Sequence, residues 1–235
     1  MNPTAAAAEI VLQLRACTNL QRQAATKNYF PSAQENLGVY AADLRAIVRK
    51  WKPALKAESA SAVLALAHAL LAHNTLEGRQ VAYELVAQHK PARQALNFRA
   101  LEALGQGIDN WASVDGFGCG LTGQAWREGR IADAQVLRWA KSGDPWWRRL
   151  ALVSTVPLNL ASRGGSGDAA RTLAICNLLA QDKHVMVHKA LSWALRTLIS
   201  RDRAAVKQFV NGHAQLPALV KREVGKKLAT GRKNG

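Results

Sequence analysis

The apolar residues of this chain recur with the spacing of an α-helix along nearly its whole length, and no stretch alternates as a strand does. The prolines fall mainly where one helical stretch gives way to the next: Pro31, Pro53, Pro91, Pro145 and Pro217. They therefore separate helices rather than interrupt them. The pattern predicts an all-α fold.

The helical stretches recur as pairs about every 35–40 residues, which is the period of HEAT-type repeats. Arg79, Arg149 and Lys189 stand at corresponding places in the second helices of such pairs. Repeats of this kind stack into a solenoid whose concave face suits an extended ligand. We therefore predict a HEAT-like helical-repeat solenoid with a concave basic groove, with a compact irregular helical bundle as the alternative.

The length of 235 residues, of which 49% are hydrophobic, is enough for one sizeable domain. We predict a single solenoid domain over residues 1–225. Residues 226–235 are expected to form a basic, frayed tail.

Three helix starts can be predicted from capping residues. Asp144 stands before Pro145, the order of an N-cap followed by proline at the first helical position. Asp182 is expected to open a comparable helix further on. After a glycine-rich loop, Asp168 or Ser166 can cap the next helix.

The chain is strongly basic, with 32 Lys and Arg against 16 Asp and Glu. Residues 1–117 hold 12 basic and 9 acidic side chains, whereas residues 118–235 hold 20 and 7. This imbalance favours nucleic acid or an anionic membrane surface as the partner, with a solvated basic surface as the alternative.

No apolar run reaches the roughly 18 residues that a membrane span needs. The first residues lack the basic start of a secretion signal, and the three cysteines are far apart, as is typical of reduced thiols. We expect a soluble, cytoplasmic protein with no membrane association.

His184 and His188 share one helix face, a spacing that can clasp a metal ion. The Glu of an H-E-x-x-H motif is missing, and no third ligand is evident nearby. A phosphate contact or a half-buried histidine is the better interpretation. The sequence predicts neither a metal nor another cofactor.

Trp111 and Asp115 lie one helical turn apart and therefore share a face. A helix cap or a core position is the ordinary explanation for such an aspartate. The alternative is a catalytic anion placed beside a positively charged substrate. Further on, Trp146 and Trp147 directly precede Arg148 and Arg149, a combination that suits phosphates beside bases.

Four stretches stand in the order found in one known family: Lys27-Asn-Tyr-Phe-Pro with Leu37-Gly-Val-Tyr-Ala-Ala-Asp-Leu-Arg45, Trp111-Ala-Ser-Val-Asp115, Pro145-Trp-Trp-Arg-Arg149-Leu-Ala-Leu, and Lys189-Ala-Leu-Ser-Trp193-Ala-Leu-Arg196. Over about residues 20–225 the chain resembles the AlkD-like DNA alkylation repair glycosylases, which are HEAT-like solenoids. The resemblance implies that Asp115 is the catalytic carboxylate, that Trp111 and Trp193 are aromatic walls against the deoxyribose, and that Arg149 holds a phosphate.

The same resemblance implies a monomer that acts on double-stranded DNA containing alkylated bases, without a cofactor. The further DNA-binding residues that it implies are Arg148, Lys189, Trp147, Arg45, Lys27 and His188. The sequence departs from the family at Asn110 and Ala112, where relatives often have a second Trp and an acid. Residues Ser32–Asn36 look inserted ahead of Leu37. Both departures bear on the range of lesions.

A single carboxylate suffices for this chemistry, because a purine alkylated at N3 or N7 is already positively charged and leaves as a neutral base. The expected activity is hydrolysis of the N-glycosidic bond of such purines. Two other classes of protein remain as alternatives: a non-catalytic protein that binds damaged or branched DNA, and a HEAT-type adaptor between proteins.

Overall fold

The computed structural model describes residues 1–231 and is all-α, as predicted. Contacts divide the chain into two compact units, residues 1–121 and 122–235. No β-strand occurs among the described residues, where the extended pairing is an isolated bridge between Glu35 and Thr75. The single domain over residues 1–225 stays a prediction.

The helices of the first unit are α1 (Pro3–Ala16), α2 (Leu20–Thr26), α3 (Ala41–Leu55), α4 (Ala60–Ala72), α5 (Leu76–Gln88), α6 (Lys90–Gln94), α7 (Phe98–Gly105) and α8 (Trp111–Phe117). A π-helical turn, Gly118–Thr122, follows α8 in the chain. The helices of the second unit are α9 (Gly123–Arg127), α10 (Asp133–Ala140), α11 (Pro145–Ser154), α12 (Val156–Asn159), α13 (Ala169–Leu178), α14 (Val185–Leu198), α15 (Arg203–Gly212) and α16 (Ala218–Thr230).

The helix starts agree with the predicted repeat period. Helices α5, α8, α11 and α14 begin at residues 76, 111, 145 and 185, so consecutive starts are 35, 34 and 40 residues apart. In the first unit α4 packs against α1 and α5, and in the second α11 and α16 both pack against α14. This order is consistent with a helical-repeat fold. The HEAT type and the concave basic groove stay predictions.

Two of the three predicted caps are confirmed. The Asp144 side chain accepts a hydrogen bond from the Trp146 N–H at 2.8 Å, and that of Asp168 accepts one from the Arg171 N–H. The prediction for Asp182 is wrong by two residues. Its carboxylate accepts the His184 N–H, and it is the His184 imidazole that caps α14.

Two further expectations need correction. Pro53 lies inside α3 rather than between helices. Residues 226–230, predicted to belong to a frayed tail, continue helix α16 to Thr230, while residues 232–235 of that tail lie outside the described part of the chain. No helix within residues 1–231 is both long and apolar enough to cross a bilayer.

Candidate active site

Asp115 lies in the interior of α8, and Asn110 is the residue that caps this helix. The Asn110 side chain is fully buried and accepts a hydrogen bond from the Ser113 N–H at 2.9 Å. Asp115 and Trp111 are both partly exposed and lie one turn apart. Asp115 therefore does not cap the start of α8, and its side chain is not fully buried.

The backbone next to Asp115 is not covered by a side chain, because the following residue is Gly116. Gly116 is exposed, and apart from its chain neighbours and the backbone of its own helix, a Cβ added there would meet no atom within 4 Å. The π-helical turn begins two residues later, at Gly118. Single π turns next to α-helices are rare and are frequent at functional sites. Another molecule can therefore approach the backbone next to the carboxylate closely.

The Trp111 ring is held by the segment that follows α2. Its indole Nε1–H donates to the Tyr29 carbonyl at 2.9 Å. The ring centroids of Tyr29 and Phe30 lie 5.1 Å and 6.2 Å from that of Trp111, and both pairs are T-shaped, with interplanar angles of 86° and 70°. These contacts fix the orientation of Trp111 beside Asp115.

Asp109, which directly precedes the cap of α8, binds the segment Ser32–Asn36 that looks inserted in the sequence. Its carboxylate accepts hydrogen bonds from the Ser32 hydroxyl at 2.6 Å and the Ala33 N–H at 2.6 Å. The Gln34 and Asn110 side-chain amides donate to the same carboxylate. Burial alone would raise the pKa of Asp109, but these four hydrogen bonds outweigh it and hold the pKa below its ordinary value. The segment is thus anchored to the helix that carries Trp111 and Asp115.

The same segment is tied to the interior through Arg79. The Arg79 guanidinium, which is 4% exposed, donates to the Gln34 side chain at 2.8 Å and to the Tyr83 hydroxyl at 2.9 Å. Tyr83 donates in turn to the Leu104 carbonyl, and burial raises the pKa of Tyr83 to about 12. Arg79, one of the three cations at corresponding repeat positions, is therefore structural.

Lys27 and Arg45 are both exposed, as a contact with phosphate requires. Lys27 lines a cleft of about 390 Å³ together with Phe30 and Ser32. The Arg45 Nε–H donates to the Ala41 carbonyl at 2.9 Å, one turn earlier in α3. Both charges are available to an anion at the surface of the first unit.

In the second unit, Arg148 and Arg149 bond to atoms of this chain. Arg148 forms an ion pair with Asp182 at 2.6 Å. Burial alone would raise the pKa of Asp182. Hydrogen bonds from Arg148 and the His184 N–H, together with the charges of Arg148 and His188, outweigh burial and hold that pKa below its ordinary value. Arg149 is 4% exposed and donates to the Met186 carbonyl. Both arginines therefore link the start of α11 to the start of α14.

The remaining predicted residues of this unit differ in exposure. Lys189 is exposed, while Trp147 and Trp193 are partly exposed. The Trp147 ring packs on Trp139 at 5.6 Å. The His188 Nε2–H donates to the Asp182 carbonyl at 2.5 Å, so this ring nitrogen already has a partner within the protein. Lys189 is thus the most accessible of the cations predicted here.

His184 and His188, which share one helix face, both bond to atoms of this chain. His184 caps α14 through its Nδ1, which accepts the Met186 N–H. Across residues 1–231, no group of three His, Cys, Asp or Glu side chains is placed to hold a metal ion.

The profile of the DNA alkylation repair enzyme family matches residues 10–228 of this chain. The chain belongs to that family. Membership in the DNA alkylation repair enzyme family gives the protein a role in alkylation repair, with DNA as a partner. A comparison with curated proteins returned no match.

The sequence alone indicates no role for Tyr29, Phe30 or Asp109. The first two lie inside the Lys27–Pro31 stretch of the family resemblance, which was the available signal. No local sequence pattern indicates the role of Asp109, because its partners Ser32 and Ala33 are more than 70 residues away in the chain.

Lys189→Ala and Arg149→Ala should have different effects. Loss of the exposed Lys189 charge should weaken binding to any duplex and reduce the salt slope by about one, with an unchanged melting temperature. Loss of the buried Arg149 should lower stability by about 1–3 kcal/mol, because the Met186 carbonyl loses its donor. Thermal melting of both variants measures the change in stability, and salt titrations of DNA binding measure the change in slope. If Arg149→Ala melted like the wild type and reduced only the salt slope, its predicted phosphate contact would be correct and the packing role wrong.

Proposed function

We propose that the protein is a DNA glycosylase that hydrolyses the N-glycosidic bond of cationic alkylated purines, of the 3-methyladenine and 7-methylguanine type, in duplex DNA. The observation that carries this proposal is the placement of Asp115: partly exposed, inside α8, and one turn from Trp111. Membership in the DNA alkylation repair enzyme family and the basic charge support it.

The chemistry needs an anion rather than an acid. As the bond from C1′ to the purine nitrogen breaks, its electron pair neutralises the positive base, so no proton has to be donated to the leaving group. The sugar becomes an oxocarbenium-like cation, which the Asp115 carboxylate stabilises. A water positioned by the same carboxylate adds to C1′ and gives one proton to that carboxylate, which leaves an abasic site and returns the proton to solvent.

Trp111 contributes through the face of its indole. A cation held against an indole face is stabilised by about 0.5–2 kcal/mol. The hydrogen bond from its Nε1–H to the Tyr29 carbonyl holds the ring, so little side-chain freedom is lost when a ligand binds. The role of Trp193 as a second aromatic wall rests on the family resemblance alone.

The exposed cations Lys189, Lys27 and Arg45 are the residues expected to contact DNA phosphates.

A non-catalytic protein that binds damaged or branched DNA is the second candidate. The observation that favours it is the charge of residues 118–235, where 20 basic side chains face 7 acidic ones, because cations alone suffice for binding.

The deciding experiment incubates the protein in excess with a duplex that contains one 7-methylguanine, and measures both free base and abasic sites. We expect release of 7-methylguanine that persists in EDTA, with none from the unmodified duplex. Binding without release would favour the non-catalytic candidate. Loss of release in EDTA with recovery on adding zinc would contradict catalysis by the protein's own carboxylate.

A further inference from the structure

A cleft in the first unit lies where α3 ends and where α5 passes into α6. Its volume is about 430 Å³, which is within the range of roughly 300–1,000 Å³ found for small-molecule sites. Pro53, Leu55, Leu85 and Pro91 give it apolar walls, and the two leucines are each 2% exposed. Within residues 1–231, its lining includes none of the residues placed at the candidate active site. The cleft can therefore take up the apolar body of a separate ligand.

Three exposed lysines line the same cleft. Lys52 lies in α3, Lys56 directly follows that helix, and Lys90 is the first residue of α6. Of the lining residues in the described part of the chain, none is acidic. Three positive charges around an apolar cleft favour an anion. They suit a phosphate monoester, which carries a charge of about −1.5 to −2 at pH 7, better than a single carboxylate.

His89, which also lines the cleft, adds a buried hydrogen-bond donor. The residue is 7% exposed, and its Nδ1 accepts the Ala92 N–H at 3.1 Å, so the proton of the neutral ring lies on Nε2. Among the atoms of residues 1–231, this buried Nε2 has no hydrogen-bond partner. A buried donor without an acceptor is unfavourable, and a phosphate oxygen that accepts from Nε2–H removes that cost.

We propose that this cleft binds a small phosphate monoester with an apolar body. The phosphate contacts the three lysines and the His89 Nε2–H, and the apolar body lies against the leucine and proline walls. An alkyl phosphate and a nucleoside monophosphate share this chemistry. The proposal goes beyond the reaction assigned to Asp115, and neither depends on the other.

The test is calorimetric titration of the whole protein with two probes, octyl phosphate below its micelle concentration and adenosine 5′-monophosphate. Inorganic phosphate, which has no apolar body, and octanol, which has no charge, are the reference compounds. We expect at least one probe to bind at least about 10-fold more tightly than inorganic phosphate, because burial of roughly two methylene groups already contributes this factor. Octanol should bind more weakly than octyl phosphate. The probe that binds more tightly shows whether the apolar body is an alkyl chain or a base.

Two double variants place the ligand in the cleft. Lys52→Gln with Lys56→Gln should bind the tighter probe about 2- to 30-fold more weakly, as expected for the loss of two exposed charge contacts. Arg49→Gln with Lys50→Gln is the matched control, because it removes two exposed charges of α3 that do not line the cleft. It should bind the probe as the wild type does. Since all four side chains are exposed, both variants should melt within a few degrees of the wild type.

The proposal is overturned if neither probe binds more tightly than inorganic phosphate, or if octanol binds as tightly as octyl phosphate. An equal loss of probe binding in both double variants would show a general effect of net charge and would also overturn it. If the Lys52 and Lys56 changes weakened binding of an undamaged duplex but not of the probes, these lysines would belong to a DNA interface instead. Base release enters none of these measurements, so a failure here is distinct from a failure of the proposed hydrolysis.

Discussion

Raising the salt concentration from about 50 to 200 mM should weaken binding to an undamaged duplex by about three to five decades. The reason is release of counterions from the DNA when Lys and Arg neutralise phosphates. A loss of this size corresponds to roughly 6–10 neutralised phosphates. Residues 118–235 supply 20 basic side chains, which is enough for such a footprint even with both Arg148 and Arg149 bonded within the protein.

Fluorescence anisotropy with a labelled duplex at several salt concentrations measures the slope of log K against log salt. The slope should be steep for wild type and unchanged in a variant such as Tyr40→Ala, which carries the same charge. A nearly flat titration would count against a phosphate-dominated interface and against the predicted contacts of Lys189, Lys27 and Arg45.

Local capping rules predicted part of the fold correctly. Asp144 and Asp168 cap the helices expected of them, because each cap depends on residues two or three positions away. The failure at Asp182 has a tertiary cause. Its carboxylate pairs with Arg148, 34 residues earlier, which leaves the cap of α14 to His184.

The candidate site was predictable only where its residues are close in the chain. The spacing of Trp111 and Asp115 on one helix face was visible in the sequence. The burial of Arg149 was not, because it depends on a carbonyl 37 residues away, at Met186. Tyr29 reaches Trp111 across 82 residues, and no local pattern indicates such a contact.

The Asp115→Asn variant should release 7-methylguanine about two to three decades more slowly than wild type under single-turnover conditions. Asparagine has nearly the same shape, so the change removes the negative charge and little else. In the proposed mechanism that charge faces the sugar as it becomes positive, and loss of one preorganised electrostatic partner costs a rate factor of this size. Because Asp115 is partly exposed and asparagine keeps its shape, the melting temperature and the affinity for undamaged DNA should change little.

Asp43→Asn is the matched control, since it makes the same chemical change at an exposed aspartate in the first turn of α3. It should release the base at the wild-type rate. Any general effect of the altered net charge on DNA binding should appear equally in both variants, so the comparison isolates the position of the carboxylate.

Single-turnover release of 7-methylguanine by folded, DNA-saturated Asp115→Asn is therefore the measurement that tests the proposed glycosylase mechanism most directly. We predict a rate about 100- to 1,000-fold below that of wild type and of Asp43→Asn, with wild-type melting and binding. A wild-type rate in the folded variant would contradict the mechanism and would remove Asp115 from the reaction.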